Sequence, residues 1–88
     1  MRIDAHQHYW VIGAPGQAWP TASLPSIHRD FRPQDLTVDL AEANIARTVL
    51  VQSQPNDSDT DWLLDLAETT ASVGAVVGWV DVRAPAAV

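Results

Sequence analysis

The spacing of apolar residues changes several times along the chain, and each change predicts an element. From Arg2 to His6, Ile3 and Ala5 alternate with charged or polar neighbours, the period of a half-buried strand. Tyr9 to Arg32 has no regular period and carries Gly13, Pro15, Gly16, Pro20 and Pro25, so it reads as a long loop. Loops beyond roughly 12–15 residues are uncommon in compact domains and are often functional lids. Pro33 suits a first helical turn, where its missing N–H is not needed. Leu36, Leu40 and Ala43 then follow at i, i+4 and i+7, one face of a helix. Thr48-Val49-Leu50-Val51 is a continuous, mostly β-branched run, as expected of a strand buried on both faces. Pro55-Asn56-Asp57 marks a loop, and Ser58-x-x-Asp61 has the form of a capping box with aspartate in place of glutamate. Trp62, Leu63, Leu66, Ala67 and Thr70 make a second helical stripe, in which Trp62 reads as core. Val73 to Val82 returns to strand character, with Gly74 and Gly78 allowing a bend or close packing.

The order β-loop-α-β-α-β predicts an α/β fold with parallel strands. Strands are expected near residues 2–7, 48–52 and 75–81, joined through two helices by right-handed crossovers, the hand that twisted strands impose. An antiparallel pairing among them would refute this reading. No internal repeat, low-complexity tract or linker divides the chain.

Candidate chemistry is concentrated at strand ends. On a strand Asp4, His6 and His8 share one face. Imidazoles at i and i+2 can converge on one cation or one substrate carbonyl, since zinc accepts neutral imidazole nitrogen, although such pairs also occur on solvated strands. Asp4 lies one pleat deeper and suits an orienting role, on an imidazole or on the loop base. Gln52 and Asp81 are polar at the ends of apolar runs, a costly placement unless paired or useful. Gln52 either lines a site or satisfies loop backbone; Asp81 either lines a site or caps the turn that follows. Trp10 and Trp19 either wall a sugar-sized pocket or plug the mouth of the sheet, and Trp79 either packs or lines. His28 reads as exposed. Arg29 and Arg32 could grip a carboxylate bidentately but more simply pair with Asp30 or Asp35.

Four segments in register resemble one family. Ile3-Asp4-Ala5-His6-Gln7-His8-Tyr9-Trp10 is similar to the first strand of the amidohydrolase superfamily, in the branch called amidohydrolase 2 that includes L-fuconolactonase-like hydrolases of sugar and pyrone lactones. Arg29-Asp30-Phe31-Arg32-Pro33-Gln34-Asp35-Leu36 resembles the entry to its first helix, Thr48-Val49-Leu50-Val51-Gln52 its second strand, and Val76-Val77-Gly78-Trp79-Val80-Asp81 its third. Asn44-Ile45 departs from the usual Gly-apolar pair, and Asp59 stands where a glutamate is expected. The resemblance implies a (β/α)8 TIM barrel that opens small lactones, or related ester or amide bonds, with the active site on the C-terminal face. It implies that His6 and His8 are catalytic residues or metal ligands, for zinc or another divalent ion, and that Trp10, Trp19, Gln52 and Asp81 contact substrate. Some lactonases of this branch work without a metal, the histidines polarising the carbonyl directly.

Length sets a limit on this expectation. A (β/α)8 barrel needs roughly 250 residues and the chain has 88, so it reads as the first three β/α units of an incomplete barrel, residues 1–88 forming an N-terminal fragment of one domain. A third helix is expected to begin at Val88. Three parallel strands alone would leave sheet edges open, which makes self-association through those edges an expectation. The formal net charge of −6, with five arginines and no lysine, argues against nucleic acid and against an anionic membrane surface; the acidic balance otherwise serves solubility. Without cysteine there is neither a disulfide framework nor thiolate ligation. No stretch nears the ~18 apolar residues of a membrane span, and no basic-then-apolar leader opens the chain, so a cytoplasmic location is expected. The leading function is the N-terminal part of a lactone hydrolase, inactive as 88 residues alone. The alternatives are a non-catalytic fragment and, less well supported by two histidines, a free-standing metal module.

Overall fold

The computed structural model describes residues 1–83. Strands β1 (Arg2–Gln7), β2 (Ile45–Val51) and β3 (Val73–Val77) alternate with helices α1 (Pro33–Glu42) and α2 (Asp57–Thr69). The strands form one sheet in the order β1-β2-β3, both pairs parallel. The third helix expected from Val88 lies outside the described residues.

Packing follows the predicted stripes except at Ala43, which is exposed just past the end of α1. Tyr9, Leu50, Leu63 and Val73 form the buried core, and Leu36, Trp62, Leu66, Ala67 and Val76 pack against it. Leu50 and Leu63 are almost wholly withdrawn from solvent, each worth about 2–3 kcal/mol of burial. Trp62 is therefore core-facing, as its place in the helical stripe implies.

The element boundaries depart from the sequence expectation in three instructive places. β2 begins at Ile45, not Thr48, because Arg2 and Ile3 extend the parallel ladder to Ile45 and Arg47. β3 ends at Val77, short of Asp81: Gln52 N donates to Val77 O (3.0 Å), and the next available donor, Trp79 N, turns to the Gln52 side chain (3.0 Å) instead of a strand. Helix α2 is capped by Asn56, whose side chain accepts from Asp59 N (2.9 Å), so Ser58 falls inside the first turn and is not the cap. At α1 the cap residue is Arg32, whose N–H donates to Asp35 Oδ2 (2.8 Å). That helix is followed, after Ala43, by Asn44 at φ 58°. The left-handed position after a helix suits only Gly or Asn well, which accounts for Asn44 where a glycine is usual.

The long loop is ordered at both ends. Trp10 and Phe31 exchange two backbone hydrogen bonds of 3.0 and 2.9 Å, an antiparallel bridge that closes its base. Arg29 lies 3.8 Å over the Phe31 ring, and Arg32 pairs with Asp30 at 3.3 Å, so both arginines serve the loop base.

Candidate active site

The first strand is bent where the histidines sit. Its pairing with β2 runs Asp4↔Thr48 and then Gln7↔Leu50, so one extra residue of β1 is accommodated at Ala5-His6. The cause is local: Asp4 Oδ1 accepts the backbone N–H of His6 (3.1 Å), removing that donor from the ladder. A bulge of this kind turns side chains out of the regular pleat. Asp4 thus holds the backbone under His6 within β1, and touches neither the ring nitrogens nor the base of the long loop, the two roles expected of it.

His6 and His8 reach the same point. Their Nε2 atoms are 3.1 Å apart, and the rings stand edge to face at 4.8 Å between centroids. His8 Nδ1 lies 2.7 Å from Val51 O at the end of β2. A carbonyl can only accept, so Nδ1 carries the proton and Nε2 of His8 presents its lone pair. His6 Nε2–H can donate to that lone pair, and a cation would displace the shared proton. Two nitrogens 3.1 Å apart can both lie about 2.0–2.1 Å from one zinc ion, subtending roughly 100° there. With the carbonyl-anchored Nδ1 of His8, a common outer partner of metal-bound histidine, the pair fits a divalent metal. Among the described residues no group of three or more His, Cys, Asp or Glu comes together, so the two histidines supply a partial donor set.

Beside His8 opens a cleft of about 550 Å³, lined also by Ala18, Trp19, Ser53, Gln54 and Pro55. It lies between the long loop and the turn after β2. The two tryptophans assigned to it separate here. Trp19, 40% exposed, lines the cleft. Trp10 does not: it is buried, stacked edge to face at 5.2 Å on both Trp19 and Phe31, and its indole N–H is spent on Arg29 O (2.9 Å). Trp10 is the plug of the loop base.

Gln52 is likewise not a free site group. Its Nε2 donates to Gln54 O (2.6 Å) and Asn56 O (2.8 Å), and its Oε1 accepts from Thr60 Oγ1 (2.6 Å) and Trp79 N (3.0 Å). An amide has two donors and two lone pairs, so none remains for a ligand; Gln52 binds the loop after β2, the start of α2 and the end of β3 into one unit. Asp81 accepts from Arg83 N (3.0 Å) and Arg83 Nε (3.2 Å), closing the turn that follows β3. It borders a separate cleft with Pro55, Trp79, Val80, Val82 and Arg83, and not the one containing His8. Trp79 is half-buried on that second cleft, and His28 is exposed.

Sequence reasoning missed the amides that dock the loop. Gln17 Oε1 accepts from Val11 N (2.9 Å), while its Nε2 donates to Asp59 Oδ1. Gln54 accepts from Trp19 N (3.0 Å) and donates to Trp19 O. Asn56 donates to Gly16 O (2.8 Å). Gln17, Gln54 and Asp59 are all buried; burial pushes the Asp59 carboxyl above its ordinary range, against the opposing hydrogen bond from Gln17. The signal available was the polar run Gln52-Ser53-Gln54 between an apolar strand and Pro55.

The chain has relatives among known proteins. No protein-family profile matches the chain. It is 52% identical over 82 residues to an L-fucono-1,5-lactonase of Burkholderia ambifaria, covering 93% of the chain and 28% of that protein. It is 36% identical over 85 residues to an L-fucono-1,5-lactonase of Burkholderia multivorans, covering 97% and 29%. Crystal structures of an amidohydrolase from Burkholderia multivorans, one with bound zinc and one with bound HEPES, superpose with a TM-score of 0.83 at 36% identity, over 97% of the chain and 30% of theirs. The sequence and the three-stranded parallel fold are similar to the N-terminal portion of an amidohydrolase. Within that class the chain is related to the L-fucono-1,5-lactonases, and it spans about 30% of the length of the relatives it matches.

Proposed function

We propose that these residues are the first three β/α units of a (β/α)8 hydrolase that opens small, sugar-derived lactones. One observation carries the reading: His6 Nε2 and His8 Nε2 meet at 3.1 Å, with the second ring locked by Val51 O, in a chain related to lactonases. Lactone opening needs a polarised carbonyl and an activated water. A bound divalent metal supplies both, as a Lewis acid and by lowering the water pKa. The chain's own contribution is orientation. Asp4 and the bulge aim His6, Val51 fixes the tautomer of His8, and the bridged loop places Trp19 over the adjoining cleft. Without a metal, His6 Nε2–H is the group able to donate to a lactone carbonyl, with His8 as its acceptor neighbour.

A catalytic zinc site normally has three protein ligands and one open position, and His6 and His8 are two. The 88 residues alone are therefore expected to bind zinc weakly and to turn over nothing. The test is the purified chain titrated with zinc and assayed against a panel of sugar lactones, beside a His6→Ala, His8→Ala control. Weak zinc binding that disappears in the control supports the assignment, whereas zinc affinity equal in both refutes it. Turnover well above the control would show that three β/α units suffice. A second reading, self-association of the chain, is favoured by Ile3 on β1 and Val77 on β3, both more than half exposed on the outer strands of the sheet; sedimentation velocity over a concentration series decides it.

A further inference from the structure

The segment carrying Trp19 belongs to no strand or helix, so its backbone groups need partners elsewhere. One side chain provides both. Gln54, only 1% exposed, accepts from Trp19 N at 3.0 Å and donates to Trp19 O, imitating with a single amide the paired bonds of a strand neighbour. Gln54 is itself held through its carbonyl, which accepts from Gln52 Nε2 at 2.6 Å. Gln52 follows Val51, whose carbonyl fixes His8. A short relay of contacts thus sets the Trp19 ring against the same strand end that orients His8, and both line one cleft.

We propose that Trp19 reads the apolar ring face of the ligand and that Gln54 is the positioning residue that sets this wall relative to His8. The cleft combines Ala18, Trp19 and Pro55 with the polar groups of His8 and Ser53. That pairing fits a small saturated ring with one C–H face to lie on an indole and an oxygen-bearing edge to meet the His8 imidazole. A sugar lactone or lactam has this form; a linear ester lacks the flat C–H face. The Gln54 amide holds Trp19 from both sides, and Gln54→Leu removes both bonds. The assignment rests on the reading of the histidine pair as the ligand-facing centre.

The test uses the 88-residue chain, isotope-labelled for NMR, with two independent probes: zinc alone, and a hydrolysis-resistant six-membered gluconolactam. The lactam is expected to shift the Trp19 indole N–H resonance, and its affinity to fall at least fivefold in Trp19→Ala and in Gln54→Leu. Trp19→Phe, which keeps an aromatic face, is expected to retain most of it. Zinc shifts of His6 and His8 are expected to stay unchanged in all three variants, which separates loss of the wall from loss of the fold. Because Trp19 is partly exposed, its alanine variant tests the wall even where Gln54→Leu unfolds. Lactam affinity unchanged in Trp19→Ala overturns the proposal, as does lactam binding that leaves Trp19 unshifted. So does absence of lactam binding while zinc titrates the histidines, an outcome that leaves the histidine assignment standing. Lactam shifts at Trp19 without any zinc response support the wall and refute the metal assignment instead.

Discussion

Replacing Gly16 and Gly13 separately by alanine tests how the long loop is seated. Both have positive φ, 78° and 79°, where a side chain costs about 1–2 kcal/mol, and both substitutions stiffen the unfolded chain by a similar amount. These backbone effects are common to the pair. The surroundings are not. A Cβ on Gly13 would meet nothing within 4 Å, whereas one on Gly16 would lie 2.7 Å from Asn56 Oδ1 and 2.9 Å from Ser58 Cβ. Asn56 cannot retreat freely, because its Oδ1 caps α2 through Asp59 N and its Nδ2 bonds Gly16 O. Losing the cap costs about 1 kcal/mol and losing the loop bond about 1 kcal/mol. Gly16→Ala is thus expected to be about 2 kcal/mol less stable than Gly13→Ala, a large part of the roughly 4–13 kcal/mol available to a chain of this size. Urea unfolding followed by circular dichroism measures the difference, and thermal midpoints should separate by roughly 8–16 °C. Two variants within about 0.5 kcal/mol of each other would refute the close approach of the loop to the start of α2.

Two further outcomes are expected. Burial holds the Asp59 carboxyl above the ordinary aspartate range and favours the protonated form in the fold; its contribution is full below the unfolded-state pKa and is lost as pH rises through the raised folded pKa. Asp59→Asn should therefore gain stability relative to the parent between pH 3.5 and pH 7 in urea titrations, and a difference independent of pH would count against the burial of that carboxyl. Asn44→Ala places an ordinary side chain at φ 58° and should lower stability by about 1 kcal/mol, while Asn44→Gly should match or exceed the parent; equal loss in both would mean that the helix end is held by something other than backbone conformation.

The sequence by itself determined the order of elements, the parallel sheet and the histidine pair. Those features are largely local: a period of 3.6 or 2 selects helix or strand, and i, i+2 spacing keeps two side chains near each other, although the bulge at Ala5-His6 and Val51 O set how the two rings meet. Trp62 and Arg32 were legible for the same reason, each having its partner on its own helical stripe or within a few residues, whereas Arg29 stacks on Phe31 and does not join a carboxylate. Polar and aromatic residues in and beside the loops were not. Trp10 and Trp19 are equally plausible walls in the sequence, yet the bridge between Trp10 and Phe31 buries the first and leaves the second on the cleft. Gln52 and Asp81 have the composition of site residues, but the hydrogen-bonding capacity of Gln52 is consumed by groups up to 27 residues away, and Asp81 Oδ1 is turned to Arg83 at the turn after β3. Gln54 and Gly16 carry no motif at all. Their importance comes from loop segments 35 and 40 residues apart that meet only after the sheet has formed, and a backbone group accepts whichever partner the tertiary fold brings within 3 Å. Periodicity can therefore place the strand ends where chemistry is held, while the choice between lining a cleft and bracing its wall belongs to the folded structure.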